Sequence, residues 1–218
     1  MEPPRPHRKQ VRHYDLPGHC HELTFSCYRR QPLLTDDSWR EELARTIDRA
    51  TSRHGWNLTA FVFMPEHVHL IVTPATLGAT AGSSSSALPK VSTPRISELL
   101  FAIKRPFSFQ MKRRLEAAAN PLLAELTIRQ RAGITTFRFW QEGPGYDRNL
   151  TSQSAILTAI DYVHRNPVRR GLVALAAAWR WSSAPWYESD GRDIDDTLPR
   201  LTPLPSGSIH SGCRGEVN

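Results

Sequence analysis

Polar and apolar positions alternate over residues 21–28 (HELTFSCY), placing Leu23, Phe25 and Cys27 on one side. This is the pattern of a half-buried strand. Beyond Pro32, the run Thr35-Asp36-Asp37 offers a helix cap. Trp39, Leu43, Ile47 and Ala50 then recur at helical spacing with charges between them, predicting an amphipathic helix that ends before Gly55. Residues 56–64 (WNLTAFVFM) are aromatic and β-branched and read as a second strand. Pro65-Glu66 interrupts it, and residues 67–73 (HVHLIVT) continue as a third, its hairpin partner or the far side of a tight turn.

Residues 75–94 are rich in Gly, Ser, Ala and Pro and read as a linker loop. From Ile96 an apolar stripe of Leu99, Leu100, Ile103, Phe107, Met111 and Leu115 predicts a strongly basic helix, with Pro106 expected to kink or split it. Residues 120–135 carry a weaker helical pattern, and 137–141 (FRFWQ) read as a strand. A further helix is predicted from Tyr146 through Ile156, Ile160 and Val163, stopping before Asn166-Pro167. The order predicts an α+β fold, a central and mainly antiparallel sheet with helices on one face. The 218 residues divide into a basic arm (1–18), one domain (19–187, enclosing the 75–94 loop) and a polar tail (188–218) expected to lack order.

Charge narrows the function classes. There are 28 Lys+Arg against 21 Asp+Glu, a net +7. Most of the cations are Arg, whose planar fork suits phosphate, so a polyanion is a natural partner. No apolar run reaches membrane-spanning length and the amino terminus lacks a secretory signal, so a cytoplasmic protein with no membrane partner is expected. Cys20, Cys27 and Cys213 are dispersed and form no CxxC pair, which argues against a disulfide framework or a cysteine zinc site.

Candidate chemistry centres on His67-Val68-His69. Residues i and i+2 of a strand share a face, so both imidazoles project together. Such a pair can hold a divalent cation, although histidines so spaced also arise as ordinary surface residues. The apolar setting on either side favours a ligand. Tyr146 follows a Gly-Pro-Gly turn at the start of the predicted helix, where its hydroxyl would meet the positive helix end; taken alone it better suits simple packing. Tyr14, Tyr28, Tyr162 and Tyr187 compete with it on composition. Arg165, Arg169 and Arg170 stand where phosphates could be touched, while Trp179, Trp181 and Trp186 read mainly as core.

These segments occur in an order that resembles one family. Pro17-Gly18…Thr24-Phe25, MPEHVHLIV, FWQEG…Tyr146-Asp147 and YVHRNPVRRGLV…WRWSS, spanning about residues 12–187, are similar to the REP-associated tyrosine transposases of bacteria. These are single-tyrosine enzymes with a His-hydrophobic-His (HUH) signature. The resemblance implies a ferredoxin-like fold and Mg²⁺ or Mn²⁺ bound by His67 and His69. It also implies cleavage and rejoining of single-stranded DNA beside repeat hairpins, by a monomer or homodimer. It places Tyr146 as the nucleophile. A third ligand would come from a polar residue shortly after the tyrosine: Asn149 or Gln153, since Leu150, one turn on, cannot ligate. Lys104, Arg105, Lys112 and Arg113, with Arg165, Arg169 and Arg170, would hold DNA. The chain departs from the family pattern in an extra residue within Gly143-Pro144-Gly145 and in Arg148, where the family has His. A catalytically silent hairpin-binding protein, and a metal hydrolase that uses water, are the alternatives.

Overall fold

The computed structural model describes residues 19–75, 94–143 and 145–204. The predicted basic arm, most of the linker loop and the end of the tail lie outside them. Strand β1 (Cys20–Ser26) leads into α1 (Asp37–Arg53), followed by β2 (Trp56–Phe63) and β3 (His67–Pro74). Helix α2 (Ile96–Ala117), the short α3 (Leu122–Leu126) and a β4–β5 hairpin (Thr127–Arg131, Ile134–Phe137) come next. Strand β6 (Tyr146–Leu150), α4 (Gln153–Arg169) and α5 (Ala184–Glu188) complete it.

The main sheet has the order β2-β3-β1-β6, every pair antiparallel. With α1 and α2 as its two crossovers this is the ferredoxin-like arrangement. Asp36 starts α1 by accepting from the backbone N–H groups of Ser38 and Trp39 at 2.8 and 3.3 Å, satisfying two of its orphan donors. Leu43 and Ile47 of α1 and Leu99, Ile103 and Phe107 of α2 pack on Leu23, Phe25, Val68 and Leu70 of the sheet. Pro106 sits in an unbroken α2, its ring exposed while Phe107 is buried. Because the missing N–H falls on the solvent side, the helix continues through it.

Helices were expected on one face, and α1 and α2 occupy it. The other face is also apolar, with Ala60, Val62 and Ile71 buried, and α4 covers it with Ala159, Ile160 and Val163. The chain before α4 departs further from the expectation. Tyr146–Leu150 is a strand on the edge of β1, and the helix starts only at Gln153, capped by the Ser152 hydroxyl. It also runs past Asn166-Pro167 to Arg169.

The tail predicted from 188 is ordered through 204. Thr202 N–H donates to the Leu58 carbonyl at 2.8 Å, Arg180 pairs with Asp195 at 2.9 Å, and Leu204 is buried. Together with the Phe63–Trp181 and Ser183–Phe61 backbone hydrogen bonds, these contacts cover the open edge of β2. Unpaired edge groups find partners there that local composition does not announce.

Candidate active site

The β1–β3 register sets Thr24 against His69 and Ser26 against His67, while β6 sets Tyr146 against Thr24. Strand alternation then places Glu22, Thr24, His67, His69, Tyr146 and Arg148 on the α4 side of the sheet, with Val68 facing the opposite core. Between this surface and α4 lies an open cavity of about 680 Å³, lined also by Arg30, Thr158, Tyr162, Asn166, Arg169 and Arg170.

The two imidazoles meet at its floor, their Nε2 atoms 3.0 Å apart. Behind His67, Nδ1 is 3.2 Å from Oε1 of the buried Glu66, which also accepts from Arg170 at 3.0 Å and Arg30 at 3.5 Å. A carboxylate only accepts, so the His67 proton belongs on Nδ1 and the Nε2 lone pair faces the cavity. Thr24 Oγ1 lies 2.8 Å from Nδ1 of His69 and can donate or accept there. Burial, then the neighbouring His67 and Arg30, pushes His69 down to about 3. His67 is also lowered, chiefly by burial and against the pull of Glu66. Both rings are therefore neutral near pH 7, the state that binds metal. Two ligands at about 2.1 Å in neighbouring octahedral positions stand about 3.0 Å apart, so the pair suits one such cation. Among the described residues no cluster of three His, Cys, Asp or Glu is found.

Two tyrosines reach the cavity. Tyr146 is half exposed on β6, two strands from His69. Tyr162, on α4, sets its ring edge-to-face on His69 with centroids 5.9 Å apart, and the Arg169 guanidinium lies 5.0 Å from its centroid. One helical turn further, Asn166 is buried against the same cavity, its amide nitrogen donating to the Tyr162 carbonyl at 3.1 Å. The i, i+4 spacing within YVHRN carried this signal, because it sets both side chains on one helix face.

Other expected residues go elsewhere. Asn149 pairs in register with His21 on the far side of the sheet, and its amide contacts His19 at 3.1 Å. Gln153 is the first residue of α4 and does not line the cavity. Both were candidates because they follow Tyr146 closely in sequence, but a strand turns alternate residues to opposite faces. Asp147 likewise faces away, 2.8 Å from Nδ1 of the buried His21.

Of the basic residues, Arg169 and Arg170 line the cavity. Arg165 pairs with Asp161 at 2.8 Å outside it. Lys104 donates to the Gly143 carbonyl at 2.9 Å, and burial lowers its pKa, so it tethers a turn. Lys112 pairs with Glu116 at 3.4 Å, while Arg105 and Arg113 lie on the exposed face of α2. Trp181 is a core residue and the partly buried Trp179 packs against the core, in keeping with their sequence context.

Residues 18–81, which include the histidine pair, match the family model described as Transposase IS200 like. The chain is similar to the REP-associated tyrosine transposases. A solved member, described as bound to a REP hairpin, superposes with a TM-score of 0.58 at 20% identity, covering 94% of this chain and all of that one. A putative transposase from Deinococcus radiodurans R1 gives 0.38 at 18% identity over 71% of this chain and 97% of that one. No curated protein matches the sequence. The family match supports a transposase-type role in DNA processing. Among the described residues, no helix is long and apolar enough to cross a membrane.

Proposed function

We propose that this protein is a metal-dependent DNA strand transferase that cleaves and rejoins single-stranded DNA beside repeat hairpins through a tyrosine. The observation that carries the reading is the meeting of the His67 and His69 Nε2 atoms at 3.0 Å beneath the Tyr162 ring, in a cavity holding Arg30, Arg169 and Arg170. A hairpin substrate is suggested by the solved relative, which is described as bound to one.

His67 and His69 would hold Mg²⁺ or Mn²⁺, with the Asn166 amide oxygen as third ligand. The bound ion would polarise the scissile phosphate. Geometry favours Tyr162 over Tyr146 as nucleophile, because Tyr162 touches His69 and sits one turn before Asn166. A phenol is a weak nucleophile near neutral pH, with a reference pKa of about 10. The phenolic proton passes to solvent. The Tyr162 oxygen attacks phosphorus and the P–O3′ bond breaks. This leaves a 5′-phosphotyrosyl link and a 3′ oxygen that takes a proton from water. A 3′-OH attacking that link reverses the bond changes and returns the tyrosine, so rejoining needs no external energy source. Arg169 and Arg170 neutralise the phosphate during both steps.

Hairpin-bearing single-stranded DNA incubated with Mn²⁺ should give a covalent protein–DNA adduct. The adduct should vanish in Tyr162→Phe and persist in Tyr146→Phe. The reverse pattern would move the nucleophile to β6. Turnover surviving both substitutions would indicate water as the nucleophile, and a wild type that binds hairpins without an adduct would indicate a binding protein.

A further inference from the structure

Helix α2 buries Leu99, Ile103, Phe107 and Met111, but its outward face is not an ordinary solvated surface. Phe101 and Phe109 are each 59% exposed. Arg105 and Arg113 follow each of them by four residues, their guanidinium carbons 5.2 Å from the Phe101 centroid and 6.0 Å from the Phe109 centroid. The result is a slanting ridge, Phe101-Arg105-Phe109-Arg113, advancing about 6 Å per member as it winds around the helix. Aromatic and cationic groups alternate along it, and neither phenylalanine contributes to the core.

Beside the stripe lies a cavity of about 480 Å³, lined by Phe101, Lys104 and Arg105 together with Phe137, Trp140 and Gln141. Lys104 anchors the Gly143 end of this cavity's wall, and the chain runs from there into β6.

We propose that the outer face of α2 and this cavity form a binding track for single-stranded DNA, on the opposite side of the sheet from the histidine pair. Phe101 and Phe109 offer π-faces to unpaired bases, and Arg105 and Arg113 take the phosphates between them. Alternation matters: a purely basic face would serve duplex and single strand alike, whereas exposed aromatic rings gain only from bases that are free to stack. The proposal rests on the reading of the chain as a DNA-processing protein and adds a second contact surface to it.

The test uses the full-length protein and a fluorescein-labelled oligo-dT without a hairpin, followed by anisotropy, with a blunt duplex as control. Phe101→Leu and Phe109→Leu keep an apolar side chain while removing the ring. Each should weaken oligo-dT binding about fivefold or more and leave duplex binding unchanged. Arg105→Gln and Arg113→Gln should each flatten the log–log salt dependence by about 0.7. Wild-type oligo-dT affinity in the double Phe variant would overturn the proposal, as would equal losses on duplex. A fall in sedimentation coefficient from dimer to monomer in that variant, with unchanged DNA affinity, would assign the stripe to contact between copies. Adduct formation on a hairpin substrate is scored separately: its absence in the wild type removes the transferase reading, while the oligo-dT comparison still decides the stripe.

Discussion

Thr24 Oγ1 lies 2.8 Å from Nδ1 of His69, and this contact decides which nitrogen of that ring can serve a cation. Without one, Nε2–H of His69 can donate to Nε2 of His67 while the Thr24 hydroxyl donates to Nδ1. With a cation on both Nε2 atoms, the His69 proton must sit on Nδ1 and the hydroxyl must accept it. Threonine does both, since a hydroxyl is donor and acceptor. Thr24→Val removes the switch with little change of shape. Mn²⁺ affinity, measured by calorimetric titration, should fall about 10- to 100-fold, the usual cost of losing a group that orients a metal-bound histidine.

Glu66 performs the matching service for His67 and is itself held by Arg170 and Arg30. Glu66→Gln leaves two cations facing each other across a neutral amide. The two arginines are half exposed or more, so solvent screens most of the loss, and a destabilisation of about 1–2 kcal/mol in urea titration is expected. Lost carboxylate charge should also lower the His67 pKa further, which proton NMR of the ring can follow.

Gly145 has φ +84°, and a Cβ there would strike the Thr24 carbonyl oxygen. Gly143 also has positive φ, at +105°, but meets nothing within 4 Å. Alanine at 143 should cost about 1 kcal/mol from backbone strain alone. Alanine at 145 should cost clearly more, because β1 and β6 must part to admit the methyl. Thermal melts of the two variants separate strain from collision, and equal losses would mean that β6 yields freely.

His164 is buried with Nε2 2.7 Å from the Ser183 hydroxyl, and burial pulls its pKa down to about 4. An unfolded histidine titrates near 6.5, so between about pH 4 and 6.5 the unfolded chain binds more protons than the folded one. The stability contributed by neutral His164 is therefore complete above 6.5 and is lost as pH falls toward 4, by about 3 kcal/mol in total. Denaturant midpoints recorded from pH 7 to 4.5 should decline, and His164→Gln should flatten the decline.

Much of the frame could be read along the chain. The histidine pair stands in a strand that continues through Leu70, Ile71 and Val72, and α1 and α2 carry clean helical stripes, so local pattern and tertiary environment agree. The segment 146–150 (YDRNL) is where they part. It holds one strongly apolar residue, Leu150, and nothing local distinguishes a strand from a first helical turn. Its backbone partners are on β1, more than a hundred residues earlier. The expected helix start is replaced by a strand, which turns Asn149 away from the cavity. Asn166-Pro167 compounded the error: proline reads as a stop, yet α4 passes through it and keeps Asn166 on the Tyr162 face.

The edge position of β6 has a consequence for its pairing. Neighbouring residues of this strand belong to different compartments: Tyr146 and Arg148 border the cavity, while Asp147 meets His21 in the interior. A one-residue shift of the β6 register on β1 would exchange those compartments, sending Asp147 to the cavity and Tyr146 toward buried His21. The buried His21–Asp147 pair therefore holds the strand in the one phase that keeps Tyr146 and Arg148 on the cavity side.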